Sequence, residues 1–379
     1  MMRVLQIIEA TGAGVARHVV DLSEGLAKHG LEVHLVYSPL RMDRIWIEGL
    51  VRLREAGVQI WKVPMRRAPH FSDIGALGAI LGYLQKAGPF HIVHGHSSKG
   101  GGMARLLKLI RTGKHKVVYT PHALITMNPQ LDFWKKKIYA LIEKFLAHKT
   151  DAFIAVSKKE AQEAFRLGYP ESKIHLIYNG VHLNYTSSKT RNEVRVELSL
   201  NSQDLVVGFV GRFSQQKAPD ILLEAFARVA PAFSNAKLVM VGDGPLKESL
   251  ANRIRILGLE NRVIFPGFIE GRIAMRAFDV FVLSSLYEGF PYVILEAMAE
   301  GIPVVTTSVG GVEEAIVDGE NGFVIPVKSV DDLTRALFEL LKSEGLREKF
   351  GKRSRERVRR FSVEEMVNAT LRVYQSLLA

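Results

Sequence analysis

The feature that most constrains this chain is a recurrence of short, unbroken apolar runs, each ending in Gly, Ser, His or Pro and followed by a stretch with helical spacing. "RVLQIIEA", "EVHLVYS", "HIVHGH", "KVVYTPH" and "DAFIAVS" are such runs, and Val19, Leu22 and Leu26 show the helical spacing between two of them. Strands that are apolar on both sides must be covered on both faces, which is the condition of a parallel sheet between layers of helices. The pattern starts again after residue 204 with "DLVVGFVGR", "AKLVMVGDG", "RVIFPGF", "FDVFVLSS" and "IPVVTTSV". The fold class is therefore predicted as α/β, with two doubly wound parallel-sheet units. A length of 379 residues agrees, being more than one core usually fills. The polar segment 183–203, "LNYTSSKTRNEVRVELSLNSQ", reads as the connection. The last segment reads as a helix opening at Ser362, with Glu365 placed for a capping box.

The 51 Lys and Arg against 39 Asp and Glu leave a net charge of +12, a field that favours an anionic partner. Nucleic acid, an acidic membrane surface and a phosphorylated small molecule all qualify. The absence of cysteine excludes disulfides, thiolate metal sites and Cys nucleophiles, and fits a reducing compartment. The first apolar run is too short for a secretory leader, and no apolar stretch approaches the roughly 20 residues that span a bilayer. The expectation is a cytoplasmic, non-integral protein.

Ligands of doubly wound sheets bind outside the carboxyl ends of the strands, so the loops there carry the functional reading. Gly12 and Gly14 follow the first strand and could bring backbone N–H groups to an anion at a helix N-terminus, or simply make a tight turn. A dinucleotide fingerprint would need glycine where Arg17 stands and an acid where "VYSP" closes the second strand. Arg212 and Lys217, beside Gly211, fit either solvated surface or a fork and a point charge meeting a diphosphate. In "LYEGFPYVILE", Glu288 falls in a loop and Glu296 over a turn inside a helix opened by Gly289, Phe290 and Pro291. Acids suit vicinal hydroxyls and free helix amides suit phosphate; plain surface charge explains the same pair. His94, His96 and His122 stand at strand ends without a third partner at recognisable metal-ligand spacing, so no metal is expected. His122 is the better candidate for a polar group facing a cleft.

Taken in order, "TGAGVARHV", "HIVHGHSSKGGGMARL", "YTPHA", "AVSKKEAQEAF", "IYNGV", "VGFVGRFSQQKAPDILLEAF", "LVMVGDGPLKESL", "FPGF", "EGFPYVILE" and "GIPVVTTSVGGVEEAI" resemble glycosyltransferase family 4 over essentially the whole chain. The resemblance implies the GT-B fold, two Rossmann-like domains facing a cleft. Residues 1–185 would form the acceptor-side domain, completed by the helix 362–379, and residues 186–361 the nucleotide-sugar donor domain. It implies retaining transfer from a nucleotide-sugar, UDP favoured, to a glycan or lipid-linked saccharide, in synthesis of a cell-surface polysaccharide or glycolipid, without a cofactor. Arg212 and Lys217 would bind the donor diphosphate, with Gly12, Gly14 and Gly211 nearby. Glu296 would hold the ribose, and Glu288 with the amides of Gly289 to Pro291 the transferred sugar. His122 would sit by the anomeric centre, and Gly242 and Phe268 would border the base. Two positions depart from the pattern: Ala218 follows Lys217 where Gly is common, and His182 stands where Asp is common.

Basic segments at "MRRAPH", "FWKKKIYALIEKFLAHK" and "REKFGKRSRERVRR" fit solvated helix faces or an anionic membrane surface at the inner face of the membrane. A sugar-nucleotide epimerase of the same fold is the alternative enzyme. A nucleic-acid-binding protein would explain the charge, but no aromatic-basic module appears, and no nucleic acid partner is expected.

Overall fold

A computed structural model describes residues 1–110, 114–185, 188–267 and 269–379. The chain divides into two compact units, Met1–Gly180 with Val363–Ala379, and Val181–Ser362.

In the first unit the apolar runs become seven parallel strands: β1 (Arg3–Ile8), β2 (Glu32–Tyr37), β3 (Gln59–Lys62), β4 (Ile92–His96), β5 (Lys116–Thr120), β6 (Ala152–Ala155) and β7 (Ile174–Leu176). Their order in the sheet is β3-β2-β1-β4-β5-β6-β7. Alternation along β1 sends Val4 and Ile8 into one core and Leu5 and Ile7 into the other, one on each face of the sheet. This is why the strand reads as continuously apolar. Gln6 is the exception, wholly buried between Leu5 and Ile7. The helix Val363–Leu378 returns to this unit, where Met366, Val367 and Val373 join the core containing Val4.

The second unit holds six parallel strands: β8 (Leu205–Val210), β9 (Ala236–Val241), β10 (Val263–Ile264), β11 (Val280–Leu283), β12 (Val304–Thr307) and β13 (Gly322–Ile325). Their order is β10-β9-β8-β11-β12-β13. Both sheets thus run outward from their first strand and then reverse, so each has a topological switch point, at β1/β4 in one and at β8/β11 in the other. In open parallel sheets such points are where ligands bind, outside the carboxyl ends of the strands. Among the described residues no helix is long and apolar enough to cross a membrane.

Candidate active site

At the second switch point, the loop after β8 and the loop after β11 are tied together. Gln216 accepts a hydrogen bond from the Leu286 amide at 2.7 Å and donates its side-chain amide to the Tyr287 carbonyl at 3.1 Å. The buried Ser284 hydroxyl lies 3.0 Å from the Lys217 carbonyl and 2.9 Å from that of Ala218. These ties set Lys217 Nζ 2.5 Å from Glu288 Oε1, and the Ser285 hydroxyl donates to the same oxygen at 2.6 Å. Both charges are largely withdrawn from water, with side-chain exposures of 20% for Lys217 and 10% for Glu288. Beside them Arg212 is exposed and, among the described residues, makes no ion pair. The result is one committed cation and one open cation within six residues of the same strand end.

Two glycines make this approach possible. A Cβ on Gly242, whose φ is 140°, would lie 2.0 Å from the Gly211 carbonyl oxygen; one on Gly310, with φ 51°, would lie 2.4 Å from that of Glu288. Gly311 N donates to the Gly289 carbonyl at 2.8 Å, so a third loop braces the backbone that carries Glu288. Ala218 takes φ 44° and ψ 52°, the left-handed conformation that glycine adopts without strain. The alanine after Lys217 therefore keeps a glycine-type backbone and leaves the position of Lys217 intact.

Phe290 is buried against Phe361, and Pro291 caps the helix Tyr292–Glu300. Proline has no N–H, so the amides at this helix start belong to Gly289, Phe290 and Tyr292, and Pro291 contributes shape alone. Pro291 also sits one position earlier than the first helical turn assigned to it from sequence. Glu296 lies inside the helix at 9% exposure, which removes the surface-charge reading for it. Phe268 lies outside the described residues.

The first unit presents different chemistry. Gly12 is extended at φ −155° and Gly14 lies in the first turn of the helix Ala13–Lys28, so neither uses glycine's left-handed freedom; Ala13 between them does, at φ 54°. The Ala13 amide donates to Asp43 Oδ2 at 2.6 Å. A carboxylate of the protein itself thus takes one amide at the helix start where an anionic ligand was anticipated.

Four imidazoles pack at the ends of β4 and β5: His18 from the helix Ala13–Lys28, His94, His96 and His122. His96 and His122 are stacked, and the ring centroids of His18 and His122 stand 4.4 Å apart edge to face. His96 Nε2 lies 2.6 Å from Gln6 Oε1 and His96 Nδ1 lies 3.2 Å from His122 Nε2. With the Gln6 oxygen as acceptor, His96 carries its proton on Nε2 and receives one from His122 Nε2–H, which leaves His122 Nδ1 as a lone pair. His94 spans Tyr374 Oη at 2.6 Å and Thr120 Oγ1 at 2.8 Å, and Gln6 Nε2 donates to Tyr374 at 3.2 Å. Burial holds His94, His96 and His122 well below the usual imidazole range, and His18 at about 4. The cluster is neutral near pH 7 and offers acceptors, not cations.

The backbone that presents His122 is strained, with φ of 61° at His122 and 118° at Ala123. The buried Glu160 carboxylate holds it: one oxygen accepts from Ala123 N at 2.7 Å and Leu124 N at 3.1 Å, the other from Val156 N at 2.8 Å. Sequence reading passed over Glu160, although Ser157 three residues earlier is an N-cap signal and does cap the helix Lys158–Arg166. It also missed Gln6, His18 and Tyr374. The first two carried a signal as polar groups at core positions of a strand and of a helix. Among the described residues, His18, His96 and His122 each offer one nitrogen within 4.8 Å of the others and form the group that could hold a metal. His18 Nδ1 already faces Asn179 Oδ1 at 3.0 Å.

The model of glycosyltransferase family 4 matches residues 12–185, and that of glycosyl transferases group 1 matches residues 190–357. A D-inositol 3-phosphate glycosyltransferase of Streptomyces bingchenggensis is 30% identical over 321 residues, 79% of this chain and 69% of its own. The N-acetyl-alpha-D-glucosaminyl L-malate synthase of Bacillus anthracis is 26% identical over 97% of this chain and 94% of its own. Anabaena HepE, solved in complex with UDP-glucose, matches with a TM-score of 0.84 at 20% identity, covering 99% of this chain and 100% of that one. Two parallel doubly wound units, matched in turn by these two models, make the chain a member of the family 4 glycosyltransferases, with the GT-B fold.

Proposed function

We propose that this enzyme is a retaining glycosyltransferase that moves a sugar from a UDP-sugar to a glycan or lipid-linked saccharide. The observation that carries the reading is the Lys217–Glu288 pair at the β8/β11 switch point, with exposed Arg212 beside it and helix amides following. UDP-glucose in Anabaena HepE supports a uridine donor. An ammonium has three donor hydrogens, so Lys217 can hold Glu288 and a phosphate oxygen together, and Arg212 adds a second charge. Glu288 has an oxygen left for sugar hydroxyls, and Glu296 serves the ribose.

In the reaction the bond from the anomeric carbon to the diphosphate oxygen breaks, and a bond to the acceptor oxygen forms on the same face. The acceptor proton passes to the leaving phosphate. Lys217 and Arg212 stabilise the charge that develops on that phosphate, and neutral His122 gives a hydrogen-bond acceptor to a substrate hydroxyl. No cofactor or metal enters this scheme. The enzyme is cytoplasmic and works peripherally at the inner face of the membrane, in assembly of cell-surface polysaccharide or glycolipid.

A calorimetric screen of nucleotide sugars, followed by transfer assays with NMR of the product anomer, tests the reading. UDP-sugar binding, retention of the α configuration and full turnover in excess chelator are expected. An inverted product rejects the mechanism, and donor consumption without any acceptor points to epimerisation instead.

A further inference from the structure

The helix Phe133–Ala147 is built with its faces reversed. Its buried residues are Glu143, Leu146 and Ala147. Glu143 receives the wholly buried Arg105 guanidinium through two contacts, at 2.6 and 3.1 Å, and the Tyr169 hydroxyl at 3.0 Å. An ion pair therefore anchors the inner side. The outer side carries Phe133, Trp134, Ile138, Leu141, Ile142 and Phe145, exposed by 61%, 68%, 56%, 68%, 46% and 59%. The last five fall within an arc of roughly 100° at 3.6 residues per turn. A soluble helix ordinarily turns such an arc inward. Here the anchoring of Glu143 fixes the rotation that keeps it in solvent.

We propose that this arc is a docking surface for an anionic lipid bilayer. Charge selects the occupant. Lys135, Lys136, Lys137 and Lys144 are exposed, and Glu143, the only acid in 133–149, is neutralised inside. On the helix Lys137 and Lys144 border one edge of the arc and Lys135 the other, so apolar side chains enter the acyl boundary while ammonium groups meet phosphate headgroups. Lys137 Nζ already lies 4.5 Å from the Phe133 ring centroid and 5.2 Å from that of Trp134, its stem along the aromatic surface. A second copy of the chain is the competing occupant, and it would bring a like-charged lysine border. The surface deepens the peripheral placement proposed for the enzyme, and because lipid binding is read without donor or acceptor, either proposal can fail alone.

Vesicles of phosphatidylglycerol mixed with phosphatidylcholine, and of phosphatidylcholine alone, test it by co-sedimentation with the full chain at two salt concentrations. Binding to the anionic vesicles, weakened by salt, is expected, with a blue shift of Trp134 emission that Trp134→Phe abolishes. The Ile138→Glu/Leu141→Glu variant lowers partitioning by about tenfold or more and leaves UDP-sugar turnover with a soluble acceptor unchanged. No binding to anionic vesicles overturns the proposal. So does a dimer in sedimentation equilibrium that this variant dissociates while vesicle binding is absent from both proteins.

Discussion

The two units share a strand order and differ in what they place at its switch point. The first gathers three buried imidazoles and the half-buried His122, kept neutral by desolvation, with His94 and His96 linked through Gln6 and Tyr374. The second gathers a lysine, a glutamate and an open arginine, all formally charged. His182 is the only histidine in 181–362, so the separation extends to composition. One topology supplies two kinds of electrostatics because the first unit builds its cluster mainly from strand residues, Gln6, His94 and His96, whereas the second takes its charges from the loops after β8 and β11. Charge for a leaving diphosphate is available in the second unit, and uncharged hydrogen bonding in the first.

The largest test of that contrast is Lys217→Ala. Losing one charge contact to the leaving group costs about 3 to 4 kcal/mol of barrier, by analogy with an oxyanion-hole donor, so turnover at saturating donor should fall about a hundredfold or more. Near-normal turnover would break the assignment of charge to the second unit. Acid stability comes next. An imidazole whose folded pKa lies below its unfolded value takes up protons first in the unfolded chain, so stability is present above pH 6.5 and is lost as pH falls. For His18, held at about 4, the loss by pH 4 is about 3 kcal/mol, and its three neighbours act in the same direction. Trp46, Trp61 and Trp134 all lie in the first unit, so tryptophan emission during acid titration reads that unit alone. A urea-denaturation midpoint, followed by this emission, that does not fall between pH 7 and pH 4 would refute the neutral cluster.

The two acids separate more finely. Glu296→Ala should raise the donor KM about tenfold with little change in kcat, and Glu288→Ala should lower kcat, since it leaves Lys217 without its partner. Equal effects on both constants would merge their roles. Smallest is Ala218→Gly, which relieves a left-handed alanine and should stabilise the second unit by about 1 kcal/mol, measured by urea denaturation.

The sequence displayed the two parallel sheets because each strand is buried on both faces and reads as an unbroken apolar run. It displayed the strand-end loops for the same reason, since glycines, histidines and charges crowd where the runs stop. Partners were the hidden part. That Lys217 meets Glu288 depends on β8 and β11 being neighbours across 71 residues, and that Gln6 meets Tyr374 depends on a helix from the far end of the chain. The Ala13 turn shows a different limit: Gly12 and Gly14 looked like an anion loop, and the amide between them is taken by Asp43, some 30 residues on. The basic run at 135–137 was plain, but which side of its helix faces water depended on Arg105 reaching Glu143.

The return of Tyr374 to the first strand also sets an order of events during synthesis. Gln6 and His94 leave the ribosome early, yet the hydroxyl that joins them arrives only after all of residues 181–362 has been made. Vectorial folding usually completes an N-terminal domain before the next one emerges. In this chain the first unit must wait, holding an unfinished polar core, until the helix Val363–Leu378 is released to close it.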